Sequence, residues 1–327
     1  MMHRRRMLKM LSALPVAGML PQGLAAMNSK DSANPVKGLT DLSGRTLSSS
    51  AQKSPIINAS EHVWLMNDPR FPIDPEISTC PGSKPPRDYS GEHLIEEMNT
   101  YGIDKTVISH VCYYGRNNDY TIHCVKTWPD RFAGFGLLFG NRLFAPNDPK
   151  NPERLEKLVK EDGLTGLRLS PIQDPQRVWM NDPGSYPWWK KAEEIGATFN
   201  IFLAPQQISQ VADMAERYPG VKIVIDHLAM MDITKPDSEG IIPLCNLVKF
   251  PNVYIRTSMH NPSKQKPPYR DVWPYLKRIY DTFGPQRMLF ANFFEYLIMK
   301  DIIPFFTEED KVWILGKTAE GIYFNRS

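Results

Sequence analysis

Short apolar segments alternate, from Pro55 onward, with segments whose apolar residues recur at helical spacing. The short segments are rich in Val, Ile, Leu and Phe, which is typical of buried strands, whereas spacings of three and four residues predict amphipathic helices. Glycine and proline separate some of these segments, for instance at Pro219-Gly220. The predicted strands cover residues 56–60, 106–109, 132–138, 166–170, 198–203, 221–225, 253–257 and 287–290.

A predicted helix follows each strand. Eight strand–helix units without a change of composition between the two halves predict a single (β/α)8 TIM barrel over residues 55–327. A doubly wound open sheet is the alternative, but no glycine-rich phosphate-binding turn follows the first strand. The predicted helices are 91–101, 120–127, one that carries Leu155, Leu158 and Val159 and ends near Gly163, 188–195, one with Ile208, Val211, Ala212 and Ala215 on its apolar face, 242–248, 275–283 and 296–302.

The N-terminal residues have the order of an export signal. Arg4–Arg6 and Lys9 precede an apolar run over residues 10–20, and small residues follow it. Paired arginines before such a run resemble the twin-arginine signal of bacteria, so residues 1–26 are predicted to direct the protein to the periplasm or the extracellular space. The apolar run is too short to span a bilayer. Residues 27–54, rich in Ser, Lys, Asn and Gly, are predicted to be a disordered linker.

Composition and charge add few constraints. The chain is 42% hydrophobic and 23% charged, as globular proteins are, and its formal charge is +3. Much of the basic excess lies in the predicted signal, so nucleic-acid binding is not expected. The four cysteines form no C-x-x-C pair and no zinc-ribbon spacing, and the sequence does not determine which of them form disulfides. The sequence also leaves open whether the protein forms a homo-oligomer.

Residues at the carboxyl ends of the predicted strands are the candidates for chemistry, because the functional face of a (β/α)8 barrel is built there. Ser60 and His62 share a face if the first strand continues, since strand side chains alternate. The complete set is Ser60, Glu61, His62, His110, Arg168, Pro205, Asp226, His227, Ser258, His260 and Asn292 to Glu295.

Six segments of the chain stand in family order between about Pro55 and Phe324: Ile57-x-x-x-x-His62-Val63-Trp64, Tyr101-Gly102-Ile103-Asp104-Lys105, Pro129-Asp130-Arg131-Phe132-Ala133-Gly134, Gly166-Leu167-Arg168-Leu169, Val224-Ile225-Asp226-His227-Leu228 and Phe283-Gly284-Pro285-Gln286-Arg287-Met288. Together these segments resemble the amidohydrolase-related family. This family consists of metal-dependent hydrolase barrels and includes aminocarboxymuconate-semialdehyde decarboxylase and lactonases. The resemblance implies a hydrolase that acts on a small molecule such as a lactone, another carboxylic ester or an amide, with water activated at the carboxyl face of the barrel.

The same resemblance implies a divalent metal, zinc or manganese, but this chain lacks part of the family's ligand set. Family members carry His-x-His or Glu-x-His after the first strand, where this chain has Ser60 and His62. His227 matches the histidine after the sixth strand, and Phe293 stands where the family has a metal-binding or proton-transferring aspartate after the eighth. A rebuilt metal site would consist of His62, His227 and Glu295, since a metal usually needs three or four ligands.

Catalytic roles are predicted for His227, as general base, and for Asp226 beside it. Arg168 is expected either to clamp a substrate carboxylate or to pair with a carboxylate of the protein. The predicted substrate-binding residues are His110, Trp64, Tyr114 and His260; the alternative for each is an ordinary place in the core or on the surface.

Three functions remain open on the sequence. The first is the hydrolase, with a small molecule as its substrate. The second is a metal-free pseudoenzyme or small-molecule binding protein on the same barrel, favoured by Ser60 and Phe293 at positions where the family has ligands. The third is a non-oxidative decarboxylase, because the family includes such lyases.

Overall fold

A computed structural model of the chain describes residues 54–73, 87–115, 117–138, 148–173 and 178–325. The predicted export signal, residues 1–26, lies outside these ranges, and so does the predicted linker except for Ser54. No helix among the described residues is long and apolar enough to cross a membrane.

Eight parallel strands follow one another in chain order around a single sheet. The backbone N–H of Ala59 donates to the carbonyl of Phe290 at 3.1 Å and thereby joins the first strand to the chain that follows the last. The predicted (β/α)8 TIM barrel is confirmed. The strands are β1 (Ile57–Glu61), β2 (Lys105–Ser109), β3 (Phe132–Gly136), β4 (Gly166–Leu169), β5 (Thr198–Ile201), β6 (Lys222–Ile225), β7 (Val253–Arg256) and β8 (Met288–Leu289).

The third strand is shorter than its apolar run predicts, and a side chain accounts for the difference. Asn118 donates to the carbonyl of Leu137 at 2.9 Å and accepts its N–H at 2.7 Å. Because Asn118 engages both backbone groups, Leu137 does not extend the pairing of β3, which ends at Gly136.

The helices pack their apolar faces against the outside of the barrel. The first begins after the N-cap Ser90 and ends at Gly102, whose φ of 69° suits a residue without a Cβ atom. The α-helices are α1 (Gly91–Tyr101), α2 (Asp119–Thr127), α3 (Asn151–Lys160), α4 (Tyr186–Ile195), α5 (Ile208–Arg217), α6 (Ile241–Asn246), α7 (Trp273–Phe283), α8 (Phe293–Leu297) and α9 (Glu308–Val312).

The C-terminal helix contributes to an inner core. After α9 the chain continues through helical turns at Trp313–Lys317 and Glu320–Phe324. Ala319, Ile322 and Tyr323 are buried together with apolar side chains of the strands. This inner core therefore contains a segment from outside the sheet.

Candidate active site

Three charged groups, two of them fully buried, lie at the carboxyl end of the barrel. Asp226 follows β6, Arg256 ends β7, and neither side chain is exposed. Nη1 of Arg256 lies 3.0 Å from Oδ1 of Asp226, and Nε of Arg168, on β4, lies 3.8 Å from Oδ2. With two guanidinium groups and one carboxylate, this cluster carries a net positive charge.

Arg168 is the member of the cluster that reaches toward solvent, with 15% of its side chain exposed. Its guanidinium lies over the ring of Phe202, 5.3 Å from the centroid, and donates to the carbonyl of His110 at 3.5 Å. Of the two roles expected for Arg168, the structure contains the pairing with a carboxylate. The exposed part leaves the cation available to an anionic group at the barrel mouth.

His62 and Ser60 both contact Ser109 at the end of β2. The two hydroxyl groups are 3.0 Å apart, and Nδ1 of His62 lies 2.6 Å from the carbonyl oxygen of Ser109. A carbonyl only accepts, so Nδ1 carries the proton and Nε2 holds the lone pair. Burial, together with the charge of Arg168, lowers the pKa of His62 to about 3, so the ring is neutral at neutral pH.

His227 lies among the charged and aromatic groups of the mouth. Its ring meets Phe202 and His260 edge-on, with centroids 5.7 and 6.0 Å away. Burial and then the charge of Arg256 hold the pKa of His227 well below its usual value. Nδ1 is buried without a hydrogen-bond partner among the described residues, and the neighbouring Asp226 is paired with arginines instead.

The backbone at His227 is left-handed. Four consecutive residues, from His227 to Met230, have φ between 50° and 54°, and none of them is glycine. Such a conformation brings Cβ too close to the next carbonyl oxygen and costs about 1–2 kcal/mol per residue. Strain of this kind is retained at functional sites when the surrounding packing imposes it, and Leu228 and Ala229 are fully buried here.

His260 and Glu295 form a hydrogen-bonded pair. Nδ1 of His260 lies 2.6 Å from Oε1 of Glu295. The carboxylate also accepts the backbone N–H groups of Met259 and His260, each at 2.9 Å, and it is 1% exposed. On the other side of the ring, the amide of Asn261 lies 2.9 Å from Nε2, an arrangement that makes Nε2 an acceptor once Nδ1 donates to Glu295.

The remaining predicted substrate-binding residues have structural contacts. His110 is 2% exposed; Nε2 donates to the carbonyl of Gly115 at 2.9 Å, and Nδ1 lies 3.4 Å from Oγ1 of Thr121. The hydroxyl of Tyr114 accepts from the N–H of Leu65 and donates to its carbonyl. Trp64 packs beside Tyr113 and Tyr89 and donates to the carbonyl of Arg87.

The described residues do not fit a divalent metal. They contain no group of three or more His, Cys, Asp or Glu side chains that could hold one. Of the predicted ligand set His62, His227 and Glu295, the carboxylate is engaged by His260 and two backbone N–H groups. Phe293 stacks on Tyr101 of α1, with centroids 5.5 Å apart, and supplies no ligand atom.

Arg256 is not among the predicted site residues, because the apolar pattern extends the seventh strand to residue 257 and places Arg256 in its interior. The sequence feature that could have identified Arg256 is its position as the one charged residue of the strand Val253–Arg256. No feature of the sequence indicates the pairing of His260 with Glu295, since it joins the loop after β7 to helix α8, 35 residues away.

The barrel fold is shared with known proteins. The chain is 23% identical over 247 residues to an L-fucono-1,5-lactonase from Burkholderia ambifaria, a match that covers 72% of this chain and 79% of the lactonase. The crystal structure of a probable 2-pyrone-4,6-dicarboxylic acid hydrolase from Acinetobacter baumannii, with citric acid bound, superposes with a TM-score of 0.65 at 15% identity and covers 82% of this chain and 98% of that one.

An amidohydrolase from Burkholderia multivorans with bound zinc has the same fold, with a TM-score of 0.64 at 17% identity over 82% of this chain and 99% of that one. At these identities the solved structures establish the fold. The amidohydrolase family Amidohydro_2 matches residues 62–292, most of the described barrel. The chain therefore belongs to the Amidohydro_2 family of amidohydrolases.

Proposed function

We propose that this protein hydrolyses a small molecule at an ester carbonyl, with lactones as the first substrate class, at the carboxyl end of its barrel. Membership of the amidohydrolase family and the similarity to a lactonase support hydrolysis. The observation that carries the proposal is the His260–Glu295 pair beside a mouth with net positive charge.

His260 is the proposed general base. The hydrogen bond to Glu295 fixes the proton on Nδ1 and leaves the lone pair on Nε2, where the amide of Asn261 donates. The side chain is 31% exposed, so a water molecule can reach Nε2 in the place of the Asn261 amide. A histidine oriented by a buried carboxylate is a common arrangement for moving a proton to and from water near neutral pH.

His227 has a different role in this proposal. Because its pKa lies well below the usual value, the ring stays neutral and is a weak base at neutral pH. Its ring meets Phe202 and His260 edge-on, and in this proposal it contacts the substrate as a neutral group. The general base predicted from sequence at His227 is therefore assigned to His260, 6.0 Å away between ring centroids.

The reaction follows from these positions. Nε2 of His260 takes a proton from water, the oxygen of that water bonds to the lactone carbonyl carbon, and the carbonyl π electrons move to its oxygen. Arg168, the partly exposed cation of the cluster, stabilises the oxyanion or holds a substrate carboxylate. When the carbonyl re-forms, the ring C–O bond breaks and protonated His260 gives its proton to the leaving alkoxide, which yields a hydroxy acid.

A panel of lactones tests this function. Purified protein would be offered L-fucono-1,5-lactone, other sugar-acid 1,5-lactones and 2-pyrone-4,6-dicarboxylic acid, with and without added Zn²⁺ or Mn²⁺, and acid release would be followed by titration at constant pH. Turnover that is lost in His260→Ala and retained in His93→Ala is the expected result. His93 is a suitable control because it lies on α1 with half of its side chain exposed.

The other outcomes separate the alternatives. Saturable binding of a panel compound without acid release would contradict the hydrolase and indicate a binding protein. An aromatic carboxylic acid offered alongside the lactones tests the third alternative, because release of CO2 from it would indicate a decarboxylase. Turnover that persists at full rate in His260→Ala would contradict the assignment of the base.

A further inference from the structure

The C-terminal helical turn Glu320–Phe324 places a phenol inside the barrel. Tyr323 is 1% exposed, and its ring meets Phe135 of β3 edge-on, with centroids 5.4 Å apart. Phenylalanine would provide the same packing, so packing alone does not account for the hydroxyl group. A buried hydroxyl costs free energy unless it is hydrogen-bonded.

The hydroxyl of Tyr323 has one hydrogen-bond partner and one charged neighbour in the inner barrel. It donates to Oδ1 of Asn200, on β5, at 3.2 Å. The guanidinium of Arg256 lies beside the same hydroxyl and acts to lower the pKa of Tyr323, whereas burial raises that pKa to about 12. The phenol therefore remains neutral over the working pH range and keeps its hydrogen bond to Asn200.

Asn200 and Arg256 are each linked to Arg168 at the mouth. Asn200 is the residue directly paired with Arg168 in the register of β4 and β5. Arg256 is paired with Asp226, which in turn lies 3.8 Å from Nε of Arg168. Asn200, next to Arg168 in the sheet, and the Arg256–Asp226 pair thus lie close both to a residue of the C-terminal helical turn and to the partly exposed cation.

We propose that Tyr323 is a positioning residue, which orients the Arg256–Asp226–Arg168 cluster from the inner end of the barrel so that Arg168 presents its guanidinium at the mouth. Arg256 is completely buried and, within the described residues, has only Asp226 as an ion-pair partner. A neutral hydroxyl beside it limits the directions that the guanidinium can take without adding a charge. The kinetic part of this inference rests on the proposed function; the structural part does not.

Tyr323→Phe removes only the hydroxyl group, and Tyr254→Phe is the matched control. Tyr254 lies on β7 two residues before Arg256 and packs against the same inner core. The primary measurement is the NMR resonance of the Arg168 side-chain Nε–Hε group, assigned by its loss in Arg168→Lys. This resonance should shift in Tyr323→Phe and stay in place in Tyr254→Phe.

Asn200→Ser provides a second variant, because it withdraws the acceptor of the Tyr323 hydroxyl while the tyrosine stays. It should shift the same resonance, so the inference remains testable if one of the variants is poorly folded. If the Arg168 resonance is unchanged in folded Tyr323→Phe and in folded Asn200→Ser, the inference is wrong.

Kinetics distinguish this inference from the proposed function. With a substrate from the panel, Tyr323→Phe should raise KM or lower kcat/KM about tenfold, the size of effect expected from one lost hydrogen bond, and leave the pH profile unchanged. A shifted resonance in a protein without turnover would contradict only the proposed function. Normal turnover together with an unshifted resonance would contradict only the role of Tyr323.

Discussion

Nδ1 of His260 lies 2.6 Å from Oε1 of Glu295, and the same carboxylate accepts the backbone N–H groups of the loop that carries the histidine. Three hydrogen bonds to a side chain that is 1% exposed hold the carboxylate in one orientation. The loop after β7 and helix α8 are joined at this point. The imidazole therefore has a fixed tautomer before any substrate arrives.

Glu295→Gln should lower kcat about 100-fold, the lower range of what a positioned acid or base contributes. The amide carries no charge to stabilise the imidazolium that forms when Nε2 takes a proton, and its NH2 group cannot accept the backbone N–H of Met259, so one of the three hydrogen bonds is also lost. The measurement is kcat with the best panel substrate. A double variant with His260→Ala should be no slower than His260→Ala alone, because the two residues act as a unit. Full kcat in folded Glu295→Gln would rule out this role.

Asp226→Asn should lower the free energy of unfolding by about 3–5 kcal/mol, the usual effect of removing one partner of a buried ion pair. The substitution leaves Arg256 buried without a countercharge, since its 3.0 Å partner is lost. Urea denaturation measures the effect. Asp237→Asn is the control, because its pair with Arg278 is about half exposed and should contribute less than about 1 kcal/mol. Equal losses in the two variants would mean that the cluster is hydrated.

Glu61→Gln should change how stability depends on pH. Burial raises the pKa of Glu61 from 4.5 to about 7, against a hydrogen bond that Asn58 donates. Between these values the folded state binds more protons than the unfolded state, so the Glu61 contribution to stability falls as pH rises from about 4.5 to 7 and is constant outside this window. The loss is at most about 3 kcal/mol.

The difference between the unfolding free energies of the variant and the parent protein isolates this contribution. His62 and His110, whose pKa values are lowered to about 3 and 4 by burial, act in the opposite direction: each makes the protein more stable as pH rises from its folded pKa toward 6.5. They are present in both proteins and cancel. Glu308→Gln, at a side chain that is 90% exposed, should leave the curve unchanged. A difference that does not vary with pH would contradict the prediction.

Most of the barrel could be predicted from the sequence because its signals are local. The apolar run of β3 and the spacing of Leu155, Leu158 and Val159 in α3 each lie within one element. The local pattern does not show contacts with distant parts of the chain that end a strand early. Asn118, which ends β3 by binding Leu137, lies 19 residues away, and no periodicity shows that contact.

The candidate site was harder to predict because its partners are distant in sequence. Residue type identified Asp226 and Arg168 as charges at strand ends, but not that Arg256 shares Asp226 with Arg168. Tyr323 lies 123 residues from its partner Asn200. Pairings of this kind depend on how the elements are arranged in space, and a single sequence contains little information about them.

Ala229→Gly and Ala192→Gly form a matched test of the left-handed turn at His227–Met230. Both alanines are fully buried, so each substitution removes one buried methyl group and gives the unfolded chain the same extra freedom. Only Ala229 has a positive φ, 54°, whereas Ala192 lies in α4. Ala192→Gly should therefore be less stable than Ala229→Gly by about 1–2 kcal/mol in urea denaturation, the cost of the left-handed conformation for one residue with a Cβ atom. Equal losses would show that the backbone at Ala229 is unstrained, and the packing of Leu228 and Ala229 would then not be needed to hold His227 at the barrel mouth.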